Sequence, residues 1–258
     1  MNEITILGAY GTKGADVGTS AFYIDEKNVI DAGNLLVPLK EKSAEIESIW
    51  LSHSHLDHII DIAYIMDSYF TCRKKSLKIY GLPQTIKAVK EDFLNNRIWP
   101  DFASIRLLDS DEMSVVYEEI ECEKSYQISQ EVSLQPYQTD HTVASCGYIV
   151  TKNGSSVIIS LDTYSLDSTI EKIDTRGDIK TLVVECSFPS RMGQLAYASK
   201  HLTPKILFEK LKMMKKQEIN IYINHIKPLF LEEMTKEIAL FQGDLEVKIL
   251  EDGEKIIF

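Results

Sequence analysis

The chain has 258 residues, 44% of them hydrophobic, and its 39 acidic against 28 basic residues give a formal net charge of −11. That length suits a single hydrolase-sized domain over residues 1–258, and no linker, internal repeat or low-complexity run divides it. A long polyanion needs a basic face that displaces counterions, so the charge balance argues against a long nucleic-acid substrate.

The opening segment, Met1-Asn2-Glu3-Ile4-Thr5-Ile6-Leu7-Gly8, reads as a first strand, because no basic region precedes an apolar segment as in a signal peptide. No apolar run approaches the ~20 residues that crossing a bilayer takes, so no membrane partner and a cytoplasmic location are expected. Further strands are expected near 19–25 and 28–31, then a helix near 34–43. A short apolar strand, Ile49-Trp50-Leu51, follows and ends in Ser52-His53-Ser54-His55-Leu56-Asp57-His58.

This segment concentrates metal-binding chemistry. His53 and His55 leave an extended segment on the same side, while Asp57 and His58 sit one turn further on, so one loop can feed two neighbouring ions. Imidazole and carboxylate suit zinc, or the iron and manganese that compete for mixed nitrogen and oxygen sites. Residues 59–66 continue as the apolar turns of a largely buried helix. That helix, near 57–70, offers Tyr64 and Tyr69 either to the core or to a homodimer interface.

The middle of the chain is β-rich, with strands expected near 77–80, 104–109, 114–121, 125–137, 147–152 and 155–160. Asn153-Gly154 between the last two is a hairpin signal. The last third alternates: a strand at 180–185, helices near 190–198 and 204–215, a strand at 219–223, a helix near 230–241 and a closing strand near 246–250. Two β-rich halves with outer helices predict an α/β fold, a four-layer αββα sandwich. Cys72, Cys122, Cys146 and Cys186 contain no Cys-x-x-Cys pair and are expected as buried reduced thiols.

Three more candidate ligands fall where a strand ends and a loop begins, the usual place for groups held on a scaffold. They are His141 in Thr139-Asp140-His141-Thr142, Asp162 after Val157-Ile158-Ile159-Ser160-Leu161, and His225 after Ile219-Asn220-Ile221-Tyr222-Ile223-Asn224. With His53, His55, Asp57 and His58 they complete seven.

In this order the seven resemble the metallo-β-lactamase superfamily, and Asp31-Ala32-Gly33 resembles its early Asp-x-Gly turn. The resemblance implies that His53, His55 and His141 bind one metal, that Asp57, His58 and His225 bind the second, and that Asp162 bridges them. His rather than Glu at position 55 favours the hydrolytic branch over the redox di-iron branch. Three later segments sharpen the likeness: Glu185-Cys186-Ser187-Phe188-Pro189, His201-Leu202-Thr203-Pro204 and His225-Ile226-Lys227-Pro228. Together with His53-Ser54-His55-Leu56-Asp57-His58 they resemble class II 3′,5′-cyclic nucleotide phosphodiesterases, which are related to RNase Z-type enzymes. One departure is Asp61, where such sequences often carry Gly or Ser, so a different pocket rim is expected.

The resemblance implies hydrolysis of cAMP or cGMP to the 5′-monophosphate with two divalent metal ions, zinc first and manganese or iron as alternatives. A metal pair ~3.5–4 Å apart clamps the phosphate and lowers the pKa of bound water towards ~7, giving the attacking hydroxide. Asp57 is a candidate to orient that hydroxide, His201 the general acid, and Glu185 the carboxylate that fixes the His201 tautomer. Thr203 is expected to cap a helix that Pro204 opens. Lys227 and Ser187 are weaker candidates for phosphate or ribose contact. Trp50, Trp99, Tyr64 and Phe188 are candidates for base stacking, with core packing the stronger expectation.

Three alternatives stay open. RNase Z-like cleavage of tRNA precursors would use the same ligands, but no basic, Gly/Pro-rich arm is present. Thioester or lactone hydrolysis would have no evident use for His201 and Glu185. A nucleotide-binding sensor on a degenerate hydrolase fold would not need all seven ligands.

Overall fold

The computed structural model describes residues 2–108, 110–216 and 218–258. Among these, fourteen strands form two seven-stranded sheets. The first sheet contains β1 (Glu3–Gly8), β2 (Ala21–Asp25), β3 (Asn28–Ile30), β4 (Ser48–Trp50), β5 (Leu77–Gly81), β6 (Val115–Glu119) and β14 (Lys255–Ile257), in the order β14-β1-β2-β3-β4-β5-β6. The second contains β7 (Tyr126–Gln127), β8 (Val132–Gln138), β9 (Cys146–Lys152), β10 (Ser155–Ile159), β11 (Ile179–Glu185), β12 (Asn220–Asn224) and β13 (Val247–Ile249), in the order β13-β12-β11-β10-β9-β8-β7.

Apolar side chains alternate across each sheet, so both faces need cover, and three cores supply it. Ile6, Phe22, Ile30, Leu134, Tyr148, Val150 and Val183 fill the space between the sheets. On the outer face of the first sheet, Ile49 and Ile79 pack under α2 (Leu56–Tyr69), which buries Ile59, Ile62, Ile65 and Met66. On the outer face of the second, Ile158, Leu182 and Ile223 pack under α4 (Asp167–Thr175), α6 (Pro204–Leu211) and α7 (Leu231–Phe241). The result is the expected four-layer αββα arrangement.

Strands β3, β4, β5 and β6 run parallel, as do β10, β11, β12 and β13. Parallel strands end together, and the loops beyond their carboxyl ends form a common crevice. Asp31, Ser52 to His58, Asp162 and His225 all lie past such ends, and Glu185 is the last residue of β11. No helix of the described residues is long and apolar enough to cross a membrane.

Most elements lie where the sequence places them. Asn153 and Gly154 both have positive φ, 47° and 79°, and join β9 to β10 with Lys152 opposite Ser155. Two positive φ angles in sequence define the hairpin turn that Asn-Gly favours. Thr203 accepts from the Ile206 N–H, and Pro204 opens α6.

Other expectations change. The strand expected near 104–109 is replaced by a 3-10 turn at Phe102–Ser104 and an isolated Arg106–Met113 bridge, because Ser114 Oγ donates to the Phe102 and Ile105 carbonyls and draws this chain into a loop; residue 109 lies outside the described residues. The long strand at 125–137 is two strands, folded back where Ile128 and Ser129 bond to Val132. The helix near 34–43 shortens to α1 (Leu36–Leu39) and then a 3-10 segment, with Lys40 at φ 51°. The helix expected at 204–215 ends at Leu211, and that at 190–198 begins as a 3-10 turn before α5 (Gly193–Ser199). Helix α3 (Pro83–Ala88), α4 and β14 were not read from the sequence. All four thiols are free, but only Cys146 and Cys186 are buried; Cys72 is exposed and Cys122 half-buried.

Asp61 does not shape a rim. It is buried on the inner face of α2, and Oδ2 accepts from Leu35 N at 2.6 Å and Leu36 N at 3.0 Å, capping α1. Asp61→Ala should leave the buried Leu35 amide and the half-buried Leu36 amide without their partner and cost about 1–3 kcal/mol, lowering the midpoint of thermal unfolding by several degrees. An unchanged midpoint in calorimetry would remove Asp61 from the account of the fold.

Candidate metal centre

The loop after β4 is fixed before any ligand is considered. Ile30 pairs with Trp50, so the chain leaving β3 lies beside the chain leaving β4. Asp31 then takes Ser52 N at 2.8 Å and Ser52 Oγ at 2.8 Å, and lies 2.7 Å from His58 Nδ1. Gly33 is needed for the close approach of α2, because a Cβ there would stand 2.0 Å from the Asp57 carbonyl.

Five imidazoles converge on two carboxylates. Asp162 Oδ2 lies 3.4 Å from His58 Nε2, 3.7 Å from His53 Nε2 and 3.9 Å from His141 Nε2. Its other oxygen, Oδ1, lies 3.3 Å from His225 Nε2. Asp57 Oδ2 lies 3.6 Å from His225 Nε2 and 3.8 Å from His58 Nε2, and His55 Nδ1 lies 3.2 Å from His141 Nε2. Two donors on a tetrahedral ion, each ~2.1 Å from it, stand about 3.4 Å apart. The spacing is therefore that of donors around cations. Among the described residues three groupings lie within 4.8 Å, His53, His55, His141 and Asp162 in one, Asp57, His58 and His225 in another, and a third of Asp162, His201 and His225 that shares two residues with the others.

The fit does not rest on spacing alone. His53 Nε2, His58 Nε2, His225 Nε2 and Asp162 Oδ1 are buried without a hydrogen-bond partner. Leaving such groups unpaired costs free energy unless a cation takes the lone pairs. The opposite ring nitrogens are all held. His53 Nδ1 meets Ser52 Oγ at 2.9 Å, His58 Nδ1 meets Asp31, His141 Nδ1 meets the Lys200 carbonyl at 3.1 Å, and His225 Nδ1 meets Ser187 Oγ at 3.0 Å. Metal-binding imidazoles are oriented in this way, through the nitrogen that does not bind.

The electrostatics agree. Burial holds His53, His55 and His141 below the ordinary imidazole range, so these rings are neutral and ready to donate at neutral pH. Burial would also push His58 down, but Asp162 and Asp31 outweigh it and raise its pKa. Burial would raise Asp162, yet His225 and His58 hold it well below the usual carboxylate range. A proton on His58 and a divalent cation thus compete for one carboxylate field.

The second predicted group sits against the first. His201 Nδ1 is 3.0 Å from Glu185 Oε1, and His201 Nε2 is 4.0 Å from Asp162 Oδ2. Burial by itself would lower the His201 pKa, but Glu185 together with Asp162 outweighs it, and the net shift is upward. Glu185 is fully buried and also accepts from Leu202 N at 3.2 Å and Thr163 N at 3.3 Å. All nine predicted site residues are therefore brought together.

The sequence gives Asp31 no role beyond its turn, and leaves Ser187 between phosphate or ribose contact and a solvated polar residue. Asp31 instead orients His58. Ser187 is buried between Glu185, His201 and His225 and does not face the substrate side. Lys227 donates to the Gly11 carbonyl at 2.9 Å and lies over the Phe188 ring. Trp50 stacks on Tyr80 at 3.9 Å within the core, and Trp99 Nε1 donates to the Ala63 carbonyl. A cavity of about 650 Å³, lined by residues that include Asn28, Ser48, Lys78 and Tyr80, contains none of the nine.

These donors predict a large thermal response. At a concentration near a thousand times its Kd, Zn²⁺ should add about 4 kcal/mol to the stability of chelator-treated protein, a rise in melting temperature of roughly 10 °C. A melting curve indifferent to Zn²⁺, Mn²⁺ and Fe²⁺ would count against a metal centre. Asp31→Asn should weaken ion binding about 10–100-fold through His58, as read by metal content after dialysis.

The architecture and the motifs both have counterparts among known proteins. Unliganded yeast PDE1 superposes with a TM-score of 0.83 at 18% identity, covering 99% of both chains. The metallo-β-lactamase fold protein YhfI from Bacillus subtilis does so at 0.74 and 18% identity, covering 98% of both. A probable 3′,5′-cyclic-nucleotide phosphodiesterase of Yersinia pestis is 25% identical over 246 residues, spanning 81% of this chain and 67% of that protein. The family model of class-II cAMP phosphodiesterases matches residues 24–240. With that match over most of its length and the metallo-β-lactamase fold beneath it, this chain belongs to the class-II cAMP phosphodiesterase family.

Proposed function

We propose that the chain, acting as one domain over residues 1–258, hydrolyses 3′,5′-cyclic nucleotides, cAMP and cGMP first among them, to 5′-monophosphates at a binuclear metal site. The observation that supports this most is the His201–Glu185 pair set directly against a carboxylate and imidazole cluster. A metal cluster alone would suit many hydrolyses. An added acid suits a reaction whose leaving group is a poorly stabilised alkoxide.

In this reading His53, His55 and His141 would hold one ion, Asp57, His58 and His225 the other, and Asp162 would serve both. When bound, the two ions, zinc or by the same donor chemistry manganese or iron, neutralise phosphoryl charge and make a nucleophile available at neutral pH. The remaining work belongs to the chain. Asp57, between His58 and His225, orients the attacking water through its carboxylate. Attack at phosphorus in line with the 3′ oxygen breaks the P–O3′ bond, and His201 Nε2 supplies the proton that this oxygen needs. Glu185 keeps a proton on His201 Nδ1, so the proton delivered comes from Nε2, on the pocket side. Raising the His201 pKa favours the protonated form that an acid requires.

The test is metal-replete turnover of 3′,5′-cAMP and 3′,5′-cGMP with products separated by chromatography. The 5′-monophosphate should appear, and Asp162→Ala should abolish it. His201→Ala should lower kcat by about 10²–10⁴ while ions remain bound. A wild-type chain that holds its metals and turns over neither compound would sink the cyclic-mononucleotide reading, and full turnover by His201→Ala would remove the acid from the mechanism.

A further inference from the structure

Ser187 Oγ stands where the acid pair meets a metal-binding imidazole. It lies 3.0 Å from Glu185 Oε2, 3.2 Å from His201 Nδ1 and 3.0 Å from His225 Nδ1, with no exposure to solvent. We infer that Ser187 is a positioning residue, its single hydroxyl fixing the ring tautomers of both His201 and His225, an inference that rests on the reading of the site proposed above.

The argument is a count of protons. A hydroxyl carries one proton and two lone pairs, whereas a carboxylate oxygen only accepts. The Ser187 proton is therefore committed to Glu185 Oε2. Its lone pairs are what remain for the two rings, so each ring must present an N–H at Nδ1. For His225 this leaves Nε2 as a bare lone pair, aimed between Asp57 and Asp162, where it has no hydrogen-bond partner. The reverse tautomer would set a ring lone pair against those of Ser187 and turn an N–H toward the carboxylates, in the place of a cation. For His201, the Nδ1 proton is shared between Ser187 Oγ and Glu185 Oε1, and Nε2 is left facing the pocket.

Geometry around the rings supports the same assignment. The His201 and His225 rings lie nearly parallel, with centroids 5.4 Å apart and planes 21° apart, so one hydroxyl reaches both Nδ1 atoms. His225 has a positive φ of 63°, and a Cβ at position 11 would stand 2.8 Å from its Nδ1, so Gly11 backbone closes in on the same ring edge. The other oriented rings have different partners: Ser52 for His53, Asp31 for His58 and the Lys200 carbonyl for His141. Loss of Ser187 should thus weaken one ion site and spare the other.

The decisive experiment reloads the whole protein with Zn²⁺ against a competing chelator, for wild type, Ser187→Ala and the near-isosteric Ser187→Cys. Both variants should lose affinity for one zinc by about 10–100-fold and keep the other at the wild-type value, since a missing orienting partner costs that much. Wild-type affinity at both sites, or an equal loss at both, would overturn the inference. Ring-¹⁵N histidine spectra of the zinc-loaded wild type provide a check that does not depend on any variant folding. His225 and His201 should each carry a proton at Nδ1, and a proton on His225 Nε2 would overturn the assignment. Neither measurement uses substrate. Selective zinc loss in a chain that fails to cleave cAMP would therefore uphold the role of Ser187 while rejecting the proposed reaction.

Discussion

Asp162 is the constraint on which the rest of the site depends. A buried carboxylate is costly unless it is paired, and among the described residues the groups drawn up around Asp162 are imidazole nitrogens. Such an arrangement is unstable by itself: ring nitrogens without partners gather around an anion, with too few protons to satisfy them all. A divalent cation resolves the mismatch for several groups at once. The same feature explains why His53, His58, His141 and His225 are each held from behind. A ring free to rotate would turn an N–H to the carboxylate and relieve the strain without any metal.

The scaffold contributes by placing chain ends. Parallel strands deliver Asp31, His53, Asp162, Glu185 and His225 to one edge of the two sheets, and the loops there take conformations that strands and helices avoid. Asp31, Leu161, Lys200 and His225 all have positive φ, between 51° and 63°. For residues other than glycine this conformation costs on the order of 1 kcal/mol or more. Leu161 and Lys200 immediately precede Asp162 and His201, so the unusual backbone sits where a functional side chain has to be turned into the pocket. Stability is drawn from three apolar cores elsewhere, which let the site keep both its strain and its unpaired atoms.

This division also explains what could be read from the sequence. Candidate ligands clustered along one loop, such as His53, His55, Asp57 and His58, are legible because their short spacing survives folding. Apolar runs likewise announce β4, β10 and β12. What stayed hidden depends on neighbours distant in the chain. Nothing local marks Asp31 as the partner of His58, 27 positions away. Asp61 reads as a rim residue until α1 is seen resting its amides on it. Ser187 reads as a polar loop residue because its three partners come from β11, the loop before α6 and the end of β12. The segment at 104–109 has strand-like residues, but pairing edges are set by tertiary context rather than by propensity.

Net charge illustrates a last distinction between whole-chain and local electrostatics. A chain at −11 would repel a phosphodiester if its charge acted as one body. Screening limits each exposed carboxylate to about 8–10 Å at physiological ionic strength. Close to the donors the surface is differently composed: Leu56 lies between His55 and Asp57, Val143 two residues past His141 and Leu229 four past His225, and all three are exposed apolar side chains. Asp140, the acid next to His141, is paired with Lys200 at 3.0 Å. A small anion bound at the donors touches only this local surface. A polymer extending well beyond the pocket would lie across the acidic remainder. The composition that weighs against a long nucleic acid is therefore compatible with a compact cyclic nucleotide, because the two differ in how much of the surface they must touch.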